Sequence, residues 1–503
     1  MRGSGEARLL ASGALLQQLA QGSGLVALLV IVTLLARRLT VAELGAYGLV
    51  ASLSGYLLVL RNSVASAAVR AMAGAREGDE RTSVFVVARR LYVLVGIATG
   101  LLVAGVAITL AGTVLDGELA RDARIGGCGL GALTGVGIAA SIHLDRLRAE
   151  RLLTAAAALE LAAVGINLVL MVTLILLGAD LALIIAVSGA LPLLSGLMCA
   201  VPVRRRFGLA AGRPLRAGDR HNRFAIVPTA GWLLVIELSN LAMYASGRIV
   251  LGAYRAPAAI GLYEGPVRAH NLLYALGGAL AVPTVPTASR YVASGDEHRL
   301  RELAVRGSRY TLALFVPLCV TLMALAEPVI AVWLGERYTD GAAALTIVVS
   351  YWLLYGALVV TPGFLTGAGQ APAAGRALAG AAALSLVLAL ILTPELGVEG
   401  PAIATAGALL AAFPLLLRAG LRASGARLGD LLRRAAIPAY SLGAILAGGL
   451  LAIRFGLEPD SLPAVAALAL VGVVAYWAAF YALVLEPGER ALARGLLRRQ
   501  TLA

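Results

Sequence analysis

The chain contains no lysine; every one of its 42 basic residues is an arginine. A Walker A loop needs a lysine on the phosphates and a pyridoxal Schiff base needs one too, so neither chemistry belongs to this chain. It is not its own ATPase. The motifs HExxH and GxSxG are also absent, and the four histidines (143, 221, 270 and 298) are scattered. Cysteine is scarce: Cys128, Cys199 and Cys319 lie far apart in apolar runs without metal spacing, which reads as free core thiols. No catalytic residue, metal ligand or cofactor site is expected. Charge itself is sparse, at 14% of residues against 60% hydrophobic over 503 positions. No water-soluble domain hides that much apolar surface, so a bilayer must cover it.

Apolar runs long enough to span recur at roughly 12–36, 44–66, 86–111, 125–143, 153–178, 181–203, 225–250, 261–286, 309–334, 342–366, 374–394, 398–417, 436–456 and 463–485. They predict an all-α polytopic membrane protein with about 14 transmembrane helices. The runs are too long and too continuously apolar for an outer-membrane barrel. The first has no small-residue cleavage site behind it and reads as a retained helix, not a signal peptide. Arginine sets the orientation. With a cytoplasmic N-terminus, about 32 arginines fall on the termini and even-numbered connections and about 7 on the odd ones. Both termini are then cytoplasmic. The net charge of +14 is explained by topology and attraction to anionic lipid, not by nucleic acid.

The sequence repeats weakly. "ARRLTVAELGAY" (36–47) matches "GAYRAPAAIGLY" (252–263) at an offset of 216, "ARRLY" (88–92) matches "GSRY" (307–310), and "LLGADLALIIA" (176–186) matches "ELGVEGPAIAT" (395–405) near 219. Two halves of six helices share one orientation, so the repeat is parallel, about an axis along the membrane normal. The division is 1–203 for an N-terminal lobe, 204–223 for a basic cytoplasmic linker, and 224–420 for a C-terminal lobe. Residues 421–503 supply two extra helices and a basic tail.

Three segments carry a family resemblance: "ARRLTVAELGAYGLVASL" (36–53), "AEPVIAVWLGERYTDGAAAL" (326–345) and "LTGAGQAPAAGRALAGAAALSLVLALILTPELGVEGPAIATA" (365–406). The chain resembles the polysaccharide-transport flippases of the multidrug/oligosaccharidyl-lipid/polysaccharide exporter superfamily, the group that includes O-antigen and lipid II flippases. That resemblance implies two pseudo-symmetric lobes in a V around a central cavity open to each side in turn. It implies a bacterial plasma-membrane protein that moves a polyprenyl-pyrophosphate-linked oligosaccharide to the outer leaflet, with glycan polymerases or glycosyltransferases as partners. Drug exporters of the superfamily usually have about twelve helices, and many carry an acid in helix 1; here the first run offers Gln17, Gln18 and Gln21. A cation-coupled drug exporter and a non-transporting scaffold of a glycan-assembly complex remain the alternatives.

Charges inside spans normally face protein or a water-filled cavity. Arg61, Arg248 and Arg268 are the three arginines left inside spans, in helices that the resemblance places around the cleft. Guanidinium forks stay ionised and bind phosphate oxygens two at a time, so these are the candidate pyrophosphate ligands; snorkelling or pairing with an acid is the structural alternative. In "VIELSNLAMYASGR", Glu237, Leu241, Tyr244 and Arg248 share one helical face, with Asn240 beside them. Glu237 is a coupling candidate, and Gln21 is its neutral counterpart at the repeat offset. Glu264 precedes Arg268 by four residues, the favourable order for an intrahelical pair, and Asn271 and Tyr274 continue that face. His270 sits off it, and an ordinary polar contact is the expectation there.

Overall fold

The computed structural model describes residues 22–24, 26–74, 79–150, 152–207, 231–281, 284–457 and 461–490. Among them every regular element is helical. After a first helix over 26–38 come α1 (Val41–Gly74), α2 (Asp79–Val114), α3 (Gly117–Ala140), α4 (Ile142–Ala149), α5 (Leu153–Leu176), α6 (Leu181–Val187) and α7 (Leu191–Phe207). The later part holds α8 (Gly231–Tyr254), α9 (Pro257–Ala281), α10 (Thr284–Ala293), α11 (Glu297–Ala324), α12 (Ala326–Trp333), α13 (Ala342–Tyr355) and α14 (Thr361–Gly367). It ends in α15 (Ala371–Leu396), α16 (Glu399–Ser424), α17 (Leu428–Leu431), α18 (Ile437–Leu457) and α19 (Leu462–Leu483).

Among the described residues, nine helical stretches are long and apolar enough to cross a bilayer, and α6 with α7, bent by 45°, makes a tenth. Helices also fill the described parts of the four remaining expected spans, at 26–38, α1, α8 and α9. The protein is a multi-pass membrane protein. Gln21, most of the 204–223 linker and the end of the tail lie outside the described residues.

The chain divides into two compact units, Met1–Glu264 with Ala389–Pro401, and Gly265–Leu388 with Ala402–Ala503. In the first, small residues let helices approach closely. Gly96 and Gly100 of α2 lie against the backbone of Gly135 and Gly131 of α3, so a Cβ on any of the four strikes a neighbouring carbonyl. This is one GxxxG face on another; contact depends on missing side chains, because lipid supplies little hydrophobic drive between helices. In the second unit α11 is central. Phe315 of α11 stacks on Trp352 of α13 at 5.3 Å, and Val316 packs into the space over Gly443 of α18. A π-turn at Leu432–Ala436 joins α17 to α18; such turns often mark functional sites.

The repeat is visible in the backbone. Gly178, just beyond the end of α5, and Gly397, just beyond the end of α15, lie 219 positions apart and both take the left-handed conformation, at φ 73° and 59°. Side chains other than glycine are strained there. Of the three thiols, Cys199 and Cys319 are buried as expected of core residues, but Cys128 is exposed on α3. In a span, apolar surroundings do not distinguish a lipid-facing thiol from a buried one.

Candidate functional site

Within the first unit the start of α1 meets the start of α9. Gly45 lies under the carbonyl of Pro257, and Gly261 lies under the carbonyl of Val41. Both glycines and both partners are separated by the repeat offset of 216, so the contact is reciprocal about a pseudo-two-fold axis. One turn further on, Gly48 faces the carboxylate of Glu264, again its own repeat equivalent. Glu264 is fully buried and pairs with Arg248 of α8 through Nε at 2.7 Å, with the arginine side chain 2% exposed. Glu264 is thus tied to α8, which the i to i+4 spacing with Arg268 did not suggest.

Arg61 belongs to a second network. Its Nη2 donates to Asp145 Oδ2 at 2.6 Å, its Nε to Ser141 Oγ at 3.1 Å and its Nη1 to Asn62 Oδ1 at 3.2 Å. The Tyr92 hydroxyl donates to the same Asp145 oxygen at 2.7 Å. Arg148 bridges Asp145 Oδ1 at 3.2 Å and Glu160 Oε2 at 2.9 Å. Asp145, only 1% exposed, therefore holds three groups from three helices, α1, α2 and its own α4, and α5 joins through Glu160. Two arginines face two carboxylates, which makes the cluster neutral and tolerable in a low-dielectric interior. Sequence reading missed Asp145 and Arg148 because they sit in or near a short connection where charges look topological, and Tyr92 because a tyrosine inside a span carries no charge to mark it. The available signal was Arg61, an intramembrane cation in need of an acid.

Arg268 lies in the second unit, buried on α9. Asn271 is half-buried and Tyr274 is 39% exposed further along that face. His270 sits in an aromatic cluster built by "YWLLY" of α13, with Trp352, Tyr351 and Tyr274 rings 5.5–6.1 Å away. Trp352 Nε1 donates to His270 Nδ1 at 2.9 Å, and the Tyr351 hydroxyl meets the same nitrogen. An indole N–H only donates, so Nδ1 is the acceptor and the ring proton sits on Nε2. On α8, Asn240 and Tyr244 are half-buried, whereas the Glu237 side chain, like Gln21, lies outside the described residues. Among the described residues no cluster of His, Cys, Asp or Glu is arranged for a metal.

Residues 34–343 match a family profile described as polysaccharide biosynthesis protein. No curated protein matches the sequence. The fold is similar to that of an inward-facing multidrug resistance MATE family transporter of the MOP superfamily, at a TM-score of 0.68 and 16% identity over 82% of this chain and 98% of that one. It is similar also to the lipid II flippase MurJ in an inward closed conformation, at 0.67 and 15% identity over 93% of this chain and 99% of the other. An outward-facing MATE family transporter matches at 0.60 and 16% identity, over 83% and 96%.

Proposed function

The chain belongs to the polysaccharide biosynthesis protein family, and from that premise we propose that it is a flippase for a polyprenyl-pyrophosphate-linked oligosaccharide. The observation that carries the reading is the family match over 34–343 on a fold shared with a lipid II flippase along 93% of the chain. A diphosphate and its sugars do not cross hydrocarbon unaided, because stripping water from charges and hydroxyls without replacement partners costs many kcal/mol. A transporter supplies those partners on a path exposed to each side in turn. No covalent chemistry is required, so the chain acts without a catalytic residue. The arginine bias supports cytoplasmic termini; the resemblance to polysaccharide-transport flippases supports a bacterial plasma membrane, export toward the outer leaflet and work beside the enzymes that build and polymerise the glycan.

Arg61, Arg248 and Arg268 divide by their surroundings. Arg61 and Arg248 already serve buried carboxylates, Asp145 and Glu264, and hold the walls of the first unit. Arg268 lies on a face continued by Asn271 and Tyr274 and stays, with Arg61 and Arg248, a candidate for the diphosphate.

The test is translocation of a fluorescent polyprenyl-diphosphate oligosaccharide in proteoliposomes, read by quenching from outside. Protein-dependent loss of protection is expected, slowed at least tenfold by Arg268→Ala. Rates equal to protein-free vesicles would sink the reading.

A further inference from the structure

The second unit contains a cavity of about 590 Å³ that none of the three intramembrane arginines lines. It lies between the end of α9, α10 and the first turns of α11, at the arginine-rich end. Its lining mixes apolar Leu280, Leu303 and Val360 with Arg299, Arg306 and Tyr291. The size suits a bound small molecule, and the mix of apolar and cationic lining suits an amphiphile with an anionic head.

The charges have been arranged so that the arginines keep donors for a ligand. Glu302, the acid in the lining, is held on both oxygens by Arg434, with Nη1 to Oε1 at 2.6 Å and Nη2 to Oε2 at 3.0 Å. Arg306 approaches Glu302 through Nε alone, at 2.8 Å, and reaches Glu486 through Nη2 at 3.7 Å. Arg299 uses Nε on Asp296 at 3.2 Å, and its side chain is 69% exposed. Among the described residues nothing takes Arg306 Nη1 or either terminal nitrogen of Arg299. The two arginines are seven residues apart, two turns of one helix, which separates their Cα atoms by roughly 10 Å along the axis. A lone carboxylate does not bridge two such forks. A diphosphate does, because its oxygens are spread over two phosphorus centres and each guanidinium takes phosphate oxygens in pairs.

We infer that this cavity is a binding site for a diphosphate head group attached to an apolar chain, held by Arg299 and Arg306. The head sits between the two forks and the first isoprenoid or acyl units lie on Leu280, Leu303 and Val360. If the ligand is the transported lipid, the site is where the head group waits before translocation, and that clause rests on the function proposed above. Binding itself does not: the site stands whether or not the chain moves its ligand.

The experiment uses the full chain in phosphatidylcholine nanodiscs, titrated calorimetrically with sodium pyrophosphate. Saturable binding is expected, weakened about tenfold or more by Arg299→Gln and further by Arg299→Gln/Arg306→Gln, with Arg121→Gln as an unchanged control. Arg299 is exposed and tied only to Asp296 in its own helix, so its single variant folds and isolates the site from stability. Competition then identifies the source. Displacement by a polyprenyl diphosphate assigns the transported class, and equal displacement by phosphatidylglycerol, which has a single phosphate, overturns the diphosphate assignment. Equal affinity in the wild type and Arg299→Gln, or no binding of pyrophosphate to either, overturns the inference. A dead flippase that still binds pyrophosphate through Arg299 refutes the proposed function and leaves the site.

Discussion

Gly48 and Glu264 occupy equivalent positions in the two halves of the repeat and touch each other. A residue on a two-fold axis meets its own counterpart, so the axis passes between them. Two large side chains do not fit at such a point. Here one half supplies no side chain and the other a carboxylate, which Arg248 then neutralises at 2.7 Å.

Removing one member of that buried pair leaves an uncompensated charge. Glu264→Gln is expected to destabilise by about 3–5 kcal/mol, and Glu264→Gln/Arg248→Met to recover most of it. Gly48→Val acts on the same pair by displacing the carboxylate. Melting curves in detergent test this as a cycle: if Gly48→Val and Glu264→Gln add in full, the two residues are not coupled.

Asp145 carries more than Tyr92 in their shared network. Asp145→Asn leaves Arg61 without its carboxylate and Arg148 with Glu160 alone, and should cost about 3 kcal/mol or more. Tyr92→Phe removes one hydrogen bond of 2.7 Å, at about 1 kcal/mol. Thermal shifts in the reverse order would show that the cluster is not organised around the aspartate.

Glu489, beyond the last span, ties the tail to α11 through Arg309 and the Tyr310 hydroxyl. Burial pushes its carboxyl pKa up, but hydrogen bonds from Tyr310 and the Glu486 backbone N–H, with the charges of Arg309 and Arg306, outweigh it and hold the value below the ordinary one. A depressed carboxyl contributes stability that is fully present above the unfolded value, roughly pH 4.3, and is lost as pH falls through the lower folded value. Glu489→Gln should therefore lower the melting temperature at pH 7 and flatten its decline below pH 4.3. An unchanged acid limb in the variant would assign the decline to other groups.

His270 should appear as the Nε2–H tautomer in spectra of protein labelled with ¹⁵N-histidine, and Trp352→Phe/Tyr351→Phe should release that preference. The other three histidines (143, 221 and 298) provide the internal comparison. An Nδ1–H resonance for His270 would contradict the indole hydrogen bond at 2.9 Å.

Partner choice is where the sequence and the structure part. No spacing pointed from Glu264 to Arg248, yet Arg248 of α8 holds it. Spacing reports which side chains share a face of one helix, while an ion pair in a membrane protein is chosen by which helix arrives opposite. Arg61 was legible as a cation needing company. Asp145 was not legible as its partner, since 84 residues separate them.

The sequence by itself determined the solvent, the helical class, the arginine-rich end and the two-fold repeat. Each follows from composition or periodicity, which hydrocarbon enforces locally by demanding apolar side chains and internally bonded backbone. Only the tertiary structure decided that Gly48 and Glu264 meet on the axis, that His270 is enclosed by the aromatics of α13, and that Arg299 and Arg306 open onto one cavity. Those arrangements depend on how distant helices pack, and packing in lipid is governed by small residues and paired charges whose partners no local pattern names.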